Sequence, residues 1–185
     1  MKNTVVVAGL GRCGTSMVMQ MLAAAGCPVL GRSPGFEVDE AMGRITPEIS
    51  ASWEGHAVKV LDPQRLGLPV RCKVVWLDRD VREQAKSQLK LMAAVQSVSV
   101  SRESRRKLQV MLEKDRIRAM AVVTRHPLLR LRFEEILEAP TATAQKLADF
   151  TELPGFHVPG AAGRVLKRSA PCRDGLGIEL GLLQP

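Results

Sequence analysis

Three glycines, one guanidinium and two hydroxyls fall within eight consecutive residues, Gly9-Leu-Gly-Arg-Cys-Gly-Thr-Ser16. Such a stretch is suited to holding an anion. Val5 to Ala8, just before it, are uncharged and mostly β-branched, as a parallel strand buried on both faces requires. The glycines let the backbone curl so that successive N–H groups converge, and a helix opening near Thr15 aims the positive end of its dipole at the same point. Gly11, Arg12, Cys13, Gly14, Thr15 and Ser16 are therefore the expected contacts for a phosphate or sulfate, with Arg12 as the cation. The same dipole gives the Cys13 thiol a reason to ionise, although passive replacement of a serine is the simpler reading.

Two nucleotide-binding patterns compete for this loop. Gly9 and Gly14 bracket four residues and Ser16 follows, as in the phosphate-binding loop of ATPases and kinases, but Thr15 stands where the lysine should be. A kinase reading would also take Val74-Val-Trp-Leu-Asp78 as a strand whose aspartate holds magnesium. Gly9, Gly11 and Gly14 further satisfy the dinucleotide fingerprint G-x-G-x-x-G, yet the acidic residue expected roughly 20 positions later is replaced by Gly26-Cys-Pro-Val-Leu-Gly31. Neither pattern is complete, and the cation has moved into the loop itself as Arg12.

The loop resembles the 5′-phosphosulfate motif of sulfotransferases, Gly-x-Pro-Lys/Arg-Ser-Gly-Thr-Thr/Ser, with Gly11 for the proline and Cys13 for the serine. A second segment, Cys72-Lys-Val-Val-Trp-Leu-Asp-Arg79, is another buried-strand pattern, followed by the helical run Asp80 to Leu89. Ser87 lies two turns along that helix, roughly 10 Å from its start. This matches the family's 3′-phosphate motif, in which a strand-end arginine precedes a helical serine by eight residues; here Val81 replaces the usual proline. A third segment, Leu131-Arg-Phe-Glu-Glu-Ile-Leu-Glu-Ala-Pro140, is similar to the family's Leu-x-Tyr/Phe-Glu-Asp/Glu-Leu-x-x-x-Pro stretch. The three occur in family order across residues 4 to about 153, and the chain looks most like the small bacterial sulfotransferase-like proteins.

The resemblance implies transfer of a sulfuryl group to a hydroxyl or amine from a donor, 3′-phosphoadenosine 5′-phosphosulfate (PAPS), with no metal; a kinase using magnesium ATP or a noncatalytic nucleotide-binding protein is the alternative. It assigns Arg79 and Ser87 to the 3′-phosphate and Arg12 to the departing 5′-phosphate. Ala57-Val-Lys-Val-Leu-Asp-Pro63 is similar to the family's Ile-x-Lys-Thr-His-x-Pro strand, so Lys59 matches the lysine while Leu61 occupies the place of the catalytic histidine. Other members take their base from the segment after the first helix. Pro34-Gly-Phe-Glu37 resembles that segment, which makes Glu37 the choice; an exposed acidic loop is an equal alternative. Lys167-Arg-Ser169 is loosely similar to the basic loop that closes over the 3′-phosphate in larger relatives, and Arg168 is carried over on that basis.

The elements needed to position these groups are legible in the pattern. Strands at 4–8, 57–61, 72–77 and 128–133 alternate with helical stretches, which argues for a parallel sheet covered on both faces, a three-layer αβα arrangement. Ligands of such sheets bind beyond the carboxyl ends of the strands. A long helix is predicted over Ser101 to Val123 with Leu108, Met111, Leu112 and Met120 as its apolar stripe. Another begins at Pro140 and buries Ala144, Leu147, Ala148 and Phe150. The expected fold class is thus α/β with the P-loop-like sulfotransferase fold.

Composition agrees with one enzyme domain over 1–185, with 45% hydrophobic residues and neither repeats nor a low-complexity linker. Arg32 to Ser52 is the expected lid. The four cysteines show no metal-ligand pairing, no signal peptide precedes the first strand and the apolar runs are too short to span a bilayer, so a cytoplasmic setting is expected. The formal net charge of +8 fits a doubly phosphorylated donor as well as a solvated basic face. Nucleic acid is an unattractive main partner, because there is no Tyr and only 3% of residues are aromatic. The scarcity of rings favours a polar acceptor, such as a saccharide, over a flat phenol or steroid. The chain is short for a sulfotransferase, and an oligomer or a large acceptor would be ways to complete its site.

Overall fold

The computed structural model describes residues 4–96 and 100–165. Its centre is a parallel sheet of four strands, β1 (Thr4–Gly9), β2 (Ala57–Leu61), β3 (Cys72–Asp78) and β4 (Leu128–Arg132), in the order β2-β1-β3-β4. β1 is flanked on both sides and every residue in it is buried, which accounts for its uncharged, β-branched sequence. Its register sets Val7 beside Lys59 and Gly9 beside Leu61 on one flank, and Ala8 beside Trp76 on the other. The ends of β1, β2 and β3 are thereby brought level, which is what a site built from all three requires.

Alternation along β1 divides the core. Val5 and Val7 pack with Met19 and Leu22 of α1 (Thr15–Ala24), Ile136 of α6 (Phe133–Glu138), Ala144 and Leu147 of α7 (Pro140–Thr151), and Ala161 of α8 (Val158–Gly163). Val6 and Ala8 face the opposite layer, where Trp53 and Trp76 meet Ala85 of α4 (Val81–Gln96) and Leu112, Ala119 and Val123 of α5 (Arg102–Val123). Each large apolar side chain so buried contributes about 1.5–3 kcal/mol. The result is the expected three-layer α/β architecture, a parallel sheet with helices on both faces.

Local chemistry explains most element boundaries. Ser101 caps α5 by accepting from Ser104 N–H at 3.0 Å, while the Ser104 hydroxyl accepts from Ser101 N–H at 2.8 Å, a reciprocal box. The missing proline at the start of α4 is replaced by a side-chain cap: the Asp80 carboxylate accepts from the N–H groups of Arg82 and Glu83, both at 3.0 Å. β4 stops at Arg132, one residue earlier than expected, because Phe133 turns inward as the first residue of α6. On α5, Leu112 is buried, but Met111 is 55% exposed and drops out of the predicted stripe. Three short helices, α2 (Pro47–Ser52), α3 (Pro63–Leu66) and α8, have too few residues for periodicity to reveal.

Candidate functional site

The turn between β1 and α1 is shaped by two glycines. A Cβ on Gly9 would lie 2.3 Å from the Cys13 sulfur and 3.1 Å from the Leu77 carbonyl oxygen, so the loop closes this tightly only over a bare α-carbon. Gly14 has φ +110°, a left-handed conformation that L side chains rarely adopt, and a Cβ there would also strike the Phe133 ring at 2.8 Å. Arg12 holds φ +68° without being glycine. The turn delivers Gly11, Arg12, Gly14, Thr15 and Ser16 to the wall of one cleft of about 410 Å³ at the carboxyl ends of the strands.

Cys13 takes no part in that wall. Its side chain is 1% exposed and packs in the core beside Val5 and Val7, and its N–H donates to the Leu10 carbonyl at 3.3 Å. Burial pushes the thiol up to about 12 from its ordinary 9.0, outweighing the opposing pull of the Thr15 backbone. This agrees with the reading of Cys13 as a passive replacement of serine and removes the alternative of an ionised thiol, because the desolvation cost exceeds the help of the Thr15 backbone.

On the β3 side, Arg79 is 7% exposed, donates to the Arg12 carbonyl at 3.0 Å and stacks 4.3 Å from the centre of the Phe133 ring. Ser87, also buried, accepts from Arg12 Nε at 3.2 Å. The two motifs that are 75 residues apart in sequence at Arg12 and Ser87 are therefore in direct contact. Behind them Gln84 Nε2 donates to the carbonyls of Gly11, at 2.9 Å, and Leu10, at 3.3 Å. Arg116 of α5 donates to the Arg79 carbonyl at 2.8 Å and to Gln84 Oε1 at 3.4 Å. Asp78, the carboxylate a magnesium site would use, is engaged by Arg116 at 3.3 Å and Arg130 at 2.8 Å.

On the β2 side, Lys59 is 4% exposed and its ammonium lies 2.6 Å from Glu37 Oε1, 3.2 Å from Ser16 Oγ and in hydrogen-bond contact with the Gly35 carbonyl. Glu37 itself is 53% exposed at the cleft wall. The segment carrying it is held against α1, since Ser16 Oγ donates to the Gly35 carbonyl at 3.3 Å and Gln20 Nε2 to the Pro34 carbonyl at 3.0 Å. The stretch expected as a lid thus divides: 34–37 is fixed as a wall of the cleft, whereas α2, within 47–52, buries none of its residues.

Of the expected site residues, Gly11, Arg12, Gly14, Thr15, Ser16, Glu37, Lys59 and Arg79 line the cleft, and Ser87 sits directly behind Arg12. Arg168 lies outside the described residues. His56 is at the far end of β2 with its ring against the Glu54 carbonyl, His126 contacts Cys72 Sγ at 3.5 Å, and His157 caps α8. Sequence reasoning missed Gln84, Arg116, Phe133 and Arg164, the last of which also lines the cleft. Gln84 had one available signal, its place one turn before Ser87. Among the described residues no helix is long and apolar enough to cross a membrane, and no group of three or more His, Cys, Asp or Glu is placed to hold a metal.

No protein-family model matches the chain, and no curated protein matches its sequence. Solved structures do resemble it. Mouse sulfotransferase SULT7A1 complexed with PAP superposes with a TM-score of 0.59 at 12% identity, covering 89% of this chain and 63% of the mouse chain. The sulfotransferase of Alicyclobacillus acidocaldarius gives 0.57 at 11% identity, covering 84% and 83%. Sulfotransferase STF9 of Mycobacterium avium gives 0.61 at 9% identity, covering 89% and 67%. The chain spans under two thirds of the mouse enzyme's length, and at these identities the likeness is one of backbone architecture. The chain, a four-stranded parallel sheet flanked by helices, thus has the α/β fold of these solved sulfotransferases.

Proposed function

We propose that the protein is a sulfotransferase that moves a sulfuryl group from PAPS to a hydroxyl or amine of an acceptor, its 185 residues serving as one catalytic domain in a reducing cytoplasm. The observation that carries this reading is the meeting of Arg12, Arg79 and Ser87 at a lysine-free glycine turn. A donor with phosphate groups at both ends of its ribose needs two anion contacts a few ångströms apart, and a triphosphate does not. The neighbouring mouse structure holds PAP, the bisphosphate that such a reaction leaves behind. The two arginines on Asp78 further weigh against a magnesium-dependent kinase, because a carboxylate so engaged must first give up both ion pairs. Free thiols at Cys13, Cys27 and Cys72 fit the compartment.

The residues present fit the donor. Gly14 lines the cleft where the first turn of α1 opens, and the 5′-phosphosulfate would lie against the N–H groups of that turn. Arg12 and Lys59 supply positive charge where the leaving phosphate gains negative charge. Arg79 and Ser87 hold the 3′-phosphate. Glu37, across the cleft wall from the turn, takes the acceptor's proton, and Lys59 orients its carboxylate. Calorimetry tests the assignment. 3′-Phosphoadenosine 5′-phosphate should bind without magnesium and more tightly than magnesium ATP, and the reverse order would overturn the reading in favour of a kinase.

A further inference from the structure

The Lys59 ammonium has no hydrogen to spare. Such a group carries three donors and no acceptor, and all three are taken, by Ser16 Oγ at 3.2 Å, by the Gly35 carbonyl and by Glu37 Oε1 at 2.6 Å. Yet Lys59 lines the same cleft as the glycine turn, and its contact Ser16 belongs to that turn. An anion seated at the turn can gain a hydrogen bond from Lys59 only by taking it from one of these three acceptors.

The three acceptors are unequal. Ser16 Oγ donates its own hydrogen to the Gly35 carbonyl at 3.3 Å, so two of them are tied to each other as well as to Lys59. The backbone there is pinned further by Gln20 Nε2 on the Pro34 carbonyl at 3.0 Å, and Gly35 is buried, so a bond withdrawn from it is poorly replaced by water. Glu37 differs. Its side chain is 53% exposed, and water can take the place of the lysine there at little cost.

Resting on the sulfotransferase reading, we propose that Glu37 and the 5′-phosphate end of the donor compete for one hydrogen of Lys59, so that donor binding passes the ammonium to the phosphate and releases the Glu37 carboxylate. Lys59 thus orients Glu37 before the donor arrives and serves the phosphate afterwards. The base is engaged by its own lysine while the cleft holds no donor, and it becomes available to an acceptor's proton only in the donor complex.

Calorimetry on the whole chain tests the exchange with 3′-phosphoadenosine 5′-phosphate, adenosine 5′-phosphate and adenosine 3′-phosphate. Glu37→Ala should tighten the first two about tenfold, the worth of one charge-assisted hydrogen bond that is no longer shared, and leave adenosine 3′-phosphate near its wild-type affinity. Glu40→Ala removes the same charge from an exposed neighbour and should move none of the three. In a Lys59→Met background, Glu37→Ala should give no gain. Equal tightening of the 3′- and 5′-monophosphates, a gain that persists without Lys59, or no gain at all overturns the exchange and leaves the donor assignment intact. Because Glu37 is exposed, the comparison of monophosphates decides the matter even where Lys59→Met fails to fold. A bisphosphate that binds no tighter than adenosine 5′-phosphate, with the Glu37→Ala gain still present, overturns the donor assignment instead.

Discussion

Arg79 reaches the loop through its own guanidinium, donating to the Arg12 carbonyl while its planar face rests on Phe133. That geometry fixes one end of a flexible side chain and leaves its positive charge at the cleft wall. Arg79→Ala should therefore weaken 3′-phosphoadenosine 5′-phosphate about 10- to 100-fold, the worth of a charge-assisted hydrogen bond, and adenosine 5′-phosphate far less. Competition binding of the two nucleotides checks this, and equal losses would remove the 3′-phosphate assignment. Glu37→Gln should lower kcat about 100-fold or more and leave bisphosphate affinity unchanged or improved, because it frees the Lys59 ammonium from a carboxylate 2.6 Å away. Single-turnover kinetics beside calorimetry separate those effects. The thiols give a pH dependence. Burial raises Cys13 and Cys72 to about 12 and Cys27 to about 11, so well below the ordinary 9.0 folded and unfolded chains both keep these protons and no stability is lost. Above pH 9 the unfolded chain releases them while the folded one does not, and stability should fall progressively as pH approaches 11. Urea denaturation from pH 7.5 to 10.5 will show the slope, which Cys72→Ala should reduce.

At the scale of elements, the strands were legible to within a residue or two because buried parallel strands leave uncharged, β-branched runs with a charge at the end, as Cys72 to Asp78 does. Arg79 and Ser87 were singled out by their resemblance to the family's strand-end arginine and helical serine, and they lie at the cleft wall and against Arg12, respectively. Arg116 was missed: it sits in the basic run of α5 among solvated neighbours, and only helix phase relative to the packed layer turns it toward Asp78 and Gln84. Arg164 was hidden for a different reason, as α8 is six residues of proline, glycine, alanine and valine without periodicity. The buried glutamine behind the loop links α4 to the Gly11 carbonyl, so α5 supports the glycine turn through Arg116, which is not among the cleft-lining residues. Arg116→Met should consequently weaken bisphosphate binding several-fold with the fold retained, measured by calorimetry and circular dichroism together. Gly14→Ala should be more severe, since it combines a left-handed φ with a 2.8 Å contact to Phe133; loss of both thermal stability and nucleotide binding is expected.

For the whole molecule, the sheet order places the glycine turn at the end of a central strand with a polar cluster on each side, Lys59 and Glu37 by β2 and Arg79 and Ser87 by β3. On the proposed reading, catalysis would belong to the β2 flank and 3′-phosphate binding to the β3 flank of the same cleft. The net charge of +8 adds a long-range attraction for the donor, and association should slow with rising salt more than dissociation changes. The most direct measurement is a crystal structure of the complex with 3′-phosphoadenosine 5′-phosphate. The account predicts the 5′-phosphate against the amides of the turn from Gly11 to Ser16 and the 3′-phosphate between Arg79 and Ser87. A nucleotide bound with its 3′ position facing away from Arg79 and Ser87 would contradict it.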